Sequence, residues 1–318
     1  MAEEQFQMSD VYKTVDGYKV SRQQRSRNWD AAIGLQQVDG LNPSKYLLEL
    51  SQDSIANEKS YDVILEELNT FYEKRDFCDR AVIDEYECDI VSTRMAHQLE
   101  DPSFSFSPIY FKDLHKKLFH DLKGREYYAG QFRNVNITKR EEILQGRTVS
   151  YGDYSSLQDY LQYDFDIMAK HNSSFVAAPI EEVIAEIVRF TSNIWQAHPF
   201  REGNTRTTAL FIQKYLRWQG YDINNELFKS NSKYFRNSLV LANYADMSLG
   251  IHFNTKYLTA FFSKLLVNTV EQLPEMEALQ IKQKPRMADQ LSDAQTKADE
   301  HNNSLAYRED RHDLERSR

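Results

Sequence analysis

Nine residues, His198 to Arg206 (HPFREGNTR), bring an imidazole, a carboxylate, a Gly-Asn pair and two arginines together. Imidazole is the side chain whose ordinary pKa lies nearest neutrality, so His198 suits a general base. Glu202 would repel a bare phosphate, but it is explained if it shares a divalent cation with phosphate oxygens, the usual donors to magnesium. After Gly203 the run NTRTTALFIQKYLRW reads as a helix, with Ala209, Leu210, Ile212, Tyr215 and Leu216 as its apolar stripe and Asn204 or Thr205 as N-cap. The loop therefore feeds a helix N-terminus whose free amides attract anions, and Arg206 adds a cation one turn in. Base, metal ligand, anion hole and cation suit attack on a phosphate of a nucleotide. Taken singly, His198 is a capping histidine and Glu202 half of a solvated ion pair; the constellation favours the site.

These residues need elements to position them. The helix leading in, PIEEVIAEIVRFTSNIWQA, lines up Val183, Ile184, Ile187, Val188, Thr191, Ile194 and Trp195, and Pro199 ends it. Helical spacing recurs in YDVILEELNTFYEKR, AVIDEYECDIVSTRMAHQLE, PIYFKDLHKKLFHDL and SSLQDYLQYDFDIMAKH. Between Gly124 and Asp153 the pattern changes, and AGQFRNVNI and GRTVSYGD are short and β-prone, suiting a small hairpin. Nearer the start, Trp29, Ile33, Leu35, Val38 and Leu41 suit one helix that stops near Gly40 before Asn42-Pro43 begins the next. Three zones follow: an N-terminal helical module over 1–58, a core over 59–270, and a charged tail over 271–318 that reads as a loose helix or disordered. The expected fold class is all-α, with one small hairpin.

Composition narrows the functions. With 318 residues, 41% hydrophobic and 27% charged, the chain can bury a sizeable core. A formal net charge of -9 argues against a broad grip on nucleic acid or an anionic membrane. No run of about 18 apolar residues and no apolar leader occurs, so the reading is a cytoplasmic protein. Cys78 and Cys88 read as reduced core thiols. Oligomeric state is left open.

HPFREGNTR resembles the signature of the Fic family (filamentation induced by cAMP), HxFx(D/E)GNGRxxR, through His198, Phe200, Glu202, Gly203, Asn204 and Arg206. The resemblance extends over roughly 108–262 and implies a Fic-type helical bundle with a β-hairpin flap over the site. It implies a protein adenylyltransferase (AMPylation), moving AMP from ATP to a Ser, Thr or Tyr hydroxyl of a target protein, with Mg2+ as cofactor. By that resemblance His198 deprotonates the acceptor and Glu202 holds the metal. Gly203, Asn204, Thr205 and Arg206 bind phosphates, and Phe200 anchors the loop. Thr148, Val149, Ser150 and Tyr151 form the flap edge that docks the target by strand addition. FRNSLVLAN resembles the adenine-lining segment, making Phe235, Arg236 and Asn243 nucleotide-binding candidates; they equally suit an ordinary helix surface and cap. LQQVDGLNPS resembles the family's inhibitory helix, with Asp39 and Gly40 at its Glu-Gly position.

Four positions depart from those patterns, Asp39 being one methylene shorter than the inhibitory helix's glutamate. Thr205 stands for the signature's second glycine, Ala209 for its last arginine, and Leu35 for the inhibitory helix's hydroxyl residue. The competing readings are a catalytically silent nucleotide-binding or scaffold module, and transfer of another nucleotidyl or phosphocholine-type group.

Overall fold

A computed structural model of the chain describes residues 20–172, 175, 178–267 and 272–277. These fall in the unit Met1–Ala278. The helices are α1 (Arg22–Gly34), α2 (Lys45–Ile55), α3 (Tyr61–Tyr72), α4 (Arg80–Glu100), α5 (Pro108–Phe119), α6 (Leu157–His171), α7 (Ile180–Ala197), α8 (Asn204–Trp218), α9 (Glu226–Ala242) and α10 (Lys256–Val267). Among the described residues no strand occurs, and the fold is all-α as expected. Of the tail expected over 271–318, only residues 272–277 are described, and the rest lies outside the described residues.

Local chemistry starts most of the first helices. Side-chain oxygens of Ser21, Ser44, Ser60, Asp79 and Ser107 accept from amides in the first turns of α1 to α5, and Pro108 occupies the first turn of α5. Every member of the stripe expected on α7 is buried, and α8 is buried on all sides from Asn204 to Leu216. The α7–loop–α8 hairpin is thus a central layer, flanked by α5 and α6 on one side and by α4, α9 and α10 on the others. An aromatic cluster of Phe106, Phe111, Phe165, Phe190, Phe211 and Tyr215 fills the space between α5, α6, α7 and α8.

Several expectations change in detail. The N-terminal helix does not run through to Leu41: it tightens into a 3-10 turn at Leu35–Asp39 and stops at Gly40, which is left-handed at φ 75°. α1 packs against α4 and α9, and a Cβ on Gly34 would lie 2.4 Å from the Lys229 backbone, so only glycine permits this approach. The β-prone segments do not pair as strands. One antiparallel bridge, Glu141 with Arg147, closes a tight turn, and 148–151 run beside it with no backbone-to-backbone hydrogen bond among the described residues. α8 is capped by Gly203 in left-handed geometry, not by Asn204 or Thr205, whose side chains have other work. Cys88 is buried, but Cys78 is exposed; both are free thiols.

Candidate active site

His198 is the left-handed C-cap of α7, at φ 48°, an uncommon conformation for a residue with a side chain. Arg133 holds it there. Its guanidinium donates to the His198 carbonyl at 2.8 Å and to the Ala197 carbonyl at 3.2 Å, and its own amide donates to the Pro199 carbonyl at 2.8 Å. The same guanidinium donates to the Gly152 carbonyl and so ties the 148–153 segment to the base.

The imidazole is 2% exposed. Its Nδ1 lies 3.1 Å from the Trp195 carbonyl, an acceptor only, so Nδ1 carries the proton and Nε2 presents a lone pair. That Nε2 is buried and has no hydrogen-bond partner among the described residues. Burial first, and the Lys139 ammonium second, hold the imidazole well below the ordinary histidine range, so it is neutral at neutral pH. The Tyr151 ring covers one face at a centroid distance of 4.2 Å.

The loop between the two helices is built from inside. Phe200 is fully buried and stacks on His115 at 3.8 Å. The His115 Nδ1 accepts from the Gly130 amide at 2.9 Å, so its Nε2–H donates to the Glu202 carbonyl at 3.1 Å. Asn204 does not point to a ligand. Its amide group pairs with both the N–H and the C=O of Phe200, at 2.9 and 2.7 Å, and locks the turn. Gly203 has φ 76°, and a Cβ there would lie 2.5 Å from the Phe119 ring. Thr205 turns its hydroxyl inward to accept from the Trp195 indole at 3.0 Å. Its side chain is thus taken up inside the fold, and the first amides of α8 have no acceptor within the helix.

Glu202 is more than half exposed and meets the Lys139 ammonium at 2.8 Å. It is the one acidic side chain in the loop, and no group of three or more His, Cys, Asp or Glu residues among the described residues is arranged to hold a metal. A magnesium ion there would draw its remaining ligands from phosphate and water, the usual set for that ion.

Arg206 departs from the expected phosphate role. Its guanidinium is 1% exposed and donates to Gln36 at 2.9 Å, to Glu87 at 2.8 Å and to the Tyr127 hydroxyl at 2.7 Å, above the Phe119 ring. Asp39 completes the set at 2.9 Å from Nε. Burial opposes the charge, but Tyr127, Asp39 and Glu87 outweigh it and keep the guanidinium protonated. Asp39 therefore docks on the signature's first arginine, although the last one is replaced by Ala209.

The adenine candidates separate. Phe235 is fully buried against Phe228, Phe261 and Phe262 and is part of the core. Asn243 bonds Ser192 and the Leu239 carbonyl at the end of α9. Arg236 forks onto Glu141 at 2.7 and 3.1 Å, linking α9 to the tight turn. In the docking segment, Val149 is buried and Ser150 exposed. Thr148 Oγ1 accepts from the Lys139 amide, and the Tyr151 hydroxyl donates to Glu141. Arg133, His115, Lys139, Glu87, Gln36, Tyr127 and Glu141 were not legible as site residues. Their only signal was polar residues inside otherwise apolar helical or β-prone runs.

Residues 105–216 match the model of the Fic/DOC family. The chain is 25% identical over 170 residues, 54% of its length and 81% of the relative's, to a probable protein adenylyltransferase of Sinorhizobium fredii. It is 27% identical over 130 residues, 38% of its length, to a protein adenylyltransferase of Bartonella henselae, of which it spans 23%. The loop from His198 to Arg206, helix α7, helix α8 as far as Leu216 and the turn that faces the loop lie within the segment that matches the Fic/DOC family model.

Proposed function

We propose that the chain transfers AMP from ATP to a Ser, Thr or Tyr hydroxyl of a protein. The observation that carries this is His198: a buried, neutral imidazole whose tautomer is fixed by Trp195 and whose Nε2 lone pair has no partner among the described residues. The acceptor O–H gives its proton to that Nε2, the oxygen bonds to the α-phosphorus, and the bond to the pyrophosphate oxygen breaks with its electron pair. Amides at the tip of α8 balance charge on the phosphate oxygens. Glu202 would hold Mg2+, which supplies charge neutralisation on the phosphates. The names of both relatives support this class of reaction.

Asp39 restrains the site in this reading. By engaging Arg206 it joins the 3-10 turn after α1 to the signature helix, and its release would free one guanidinium edge for a phosphate.

The test is incubation with labelled ATP and Mg2+, comparing wild type with His198→Ala, with mass spectrometry of the added group. Labelled protein with an added AMP, abolished in the variant, is the expected result. A different added mass redirects the reading to another group. No label from any nucleoside triphosphate, with or without Asp39, leaves the silent nucleotide-binding module.

A further inference from the structure

A cavity of about 440 Å3 opens between Ser150–Asp153, α6 and α7. It shares Tyr151 with the base, whose ring Tyr151 covers, and reaches Ala197, the residue before His198. Among the described residues its lining holds two carboxylates, Asp153 and Asp164, three tyrosine rings and two side-chain amides, and no lysine, arginine or histidine.

The carboxylates are fixed from behind. Asn193 donates to Asp164 Oδ1 at 2.8 Å, and Asn136 and Ser155 hold Asp153. The cations that act on these two carboxylates have partners of their own: Arg133 on the carbonyls of Ala197, His198 and Gly152, and Arg189 on Glu186. Tyr160 and Tyr163, 46% and 66% exposed, add two accessible aromatic rings to the lining. A negative lining with aromatic rings, and no cation among the described lining residues, suits a positively charged side chain.

We propose that this cavity is a subsite for one arginine or lysine side chain of the protein that receives the nucleotide, flanking the acceptor hydroxyl. This rests on the proposed reaction and on 148–151 as the docking edge. An extended target laid along that edge advances about 3.3 Å per residue. A side chain within about three positions of the acceptor therefore reaches a cavity that shares Tyr151 with the site.

Two measurements test it separately from the reaction. In the first, NMR follows the tyrosine ring resonances while Nα-acetylarginine amide, or its glutamate analogue, is added. The arginine compound should shift Tyr160 and Tyr163, the glutamate compound should not, and Asp164→Asn should weaken binding about ten-fold. Because Asp164 is nearly buried, the rim variant Tyr163→Ala serves as a second probe, with a loss of about three-fold. Equal shifts from both compounds, or none, overturn the proposal.

In the second, peptides with one acceptor hydroxyl carry arginine or glutamate at each of three positions on either side. Arginine at one or more positions should raise kcat/KM about ten-fold, and Asp164→Asn should cancel that gain. Equal rates overturn the proposal. If the arginine compound binds as described but no peptide is ever labelled, the cation site stands and the proposed reaction falls.

Discussion

At Thr205 the family signature carries glycine, and the structure shows where the extra atoms go. The hydroxyl accepts from the buried Trp195 indole, and the side chain turns away from the helix tip. The substitution is thus a structural tie between α7 and α8 rather than an obstruction. Thr205→Val should leave that indole N–H unpaired and cost about 1–3 kcal/mol of stability, while Thr205→Ser should retain most of it. Chemical denaturation checks both, and equal losses would deny the hydrogen bond its role. Arg206 makes a sharper case. Glu87 and Arg206 are each 1% exposed, and Glu87 is shared by Arg206, Arg125 and the Tyr127 hydroxyl, so removing it strips one buried acceptor from all three while Arg206 keeps Asp39. Glu87→Ala should destabilise by about 3–5 kcal/mol, a far larger effect than at the surface pair Arg80–Asp84.

Among the elements, the N-terminal helix behaves as part of the core it covers. Trp29, Ala31 and Ala32 are buried, α1 lies on α4 and α9, and Gly34 permits the close approach. Removing 1–58 would strip that face, since a single Trp29→Ala change is expected to cost about 3–5 kcal/mol. Loss of activity on truncation would therefore say nothing about restraint. Asp39→Ala is the cleaner probe. This carboxylate is 35% exposed, and Arg206 keeps Glu87, Gln36 and Tyr127 without it, so stability should change by about 1 kcal/mol or less. If Asp39 restrains the nucleotide, self-labelling should rise up to about five-fold, the rate equivalent of about 1 kcal/mol. An unchanged rate removes the restraint. The same elements show what sequence pattern reveals. The apolar stripes of α7 and α8 were legible because periodicity reports burial on a helix. The partners of Arg206 were not, because Gln36 and Glu87 lie 170 and 119 positions away, and inside its own segment each looks like a polar residue on an amphipathic helix. The hairpin was misjudged for a related reason. β-prone composition reports side-chain shape, whereas the buried ties of Glu141, Arg133 and Thr148 leave the segment one bridge and no ladder.

For the whole molecule, the buried titratable groups set a stability profile with pH. Burial holds His115 down to about 3 and His198 well below its ordinary value. Each is freely protonated near 6.5 once unfolded, so its contribution is complete above that pH and is lost as pH falls. Asp89 works in the opposite sense. Burial raises it to about 6 despite hydrogen bonds from Ser44 and Tyr72, so between about pH 6 and 4 the folded chain holds a proton that the unfolded chain has released. Near pH 5 the unfolded chain thus gains about two histidine protons against one carboxyl proton in the folded chain. The net is about one proton, and stability should fall by about 1.4 kcal/mol for each unit of acidification. Asp89→Asn removes the opposing group. It weakens the link from α4 to the start of α2 and to α3 at every pH, which offsets the whole curve, but it should also make the slope between pH 6 and 5 roughly twice as steep. Urea unfolding at pH 7, 6 and 5 separates the offset from the slope. A flat wild-type profile would show that the two histidines are not buried neutral, and an unchanged slope in the variant would show that Asp89 stays ionised between α2, α3 and α4.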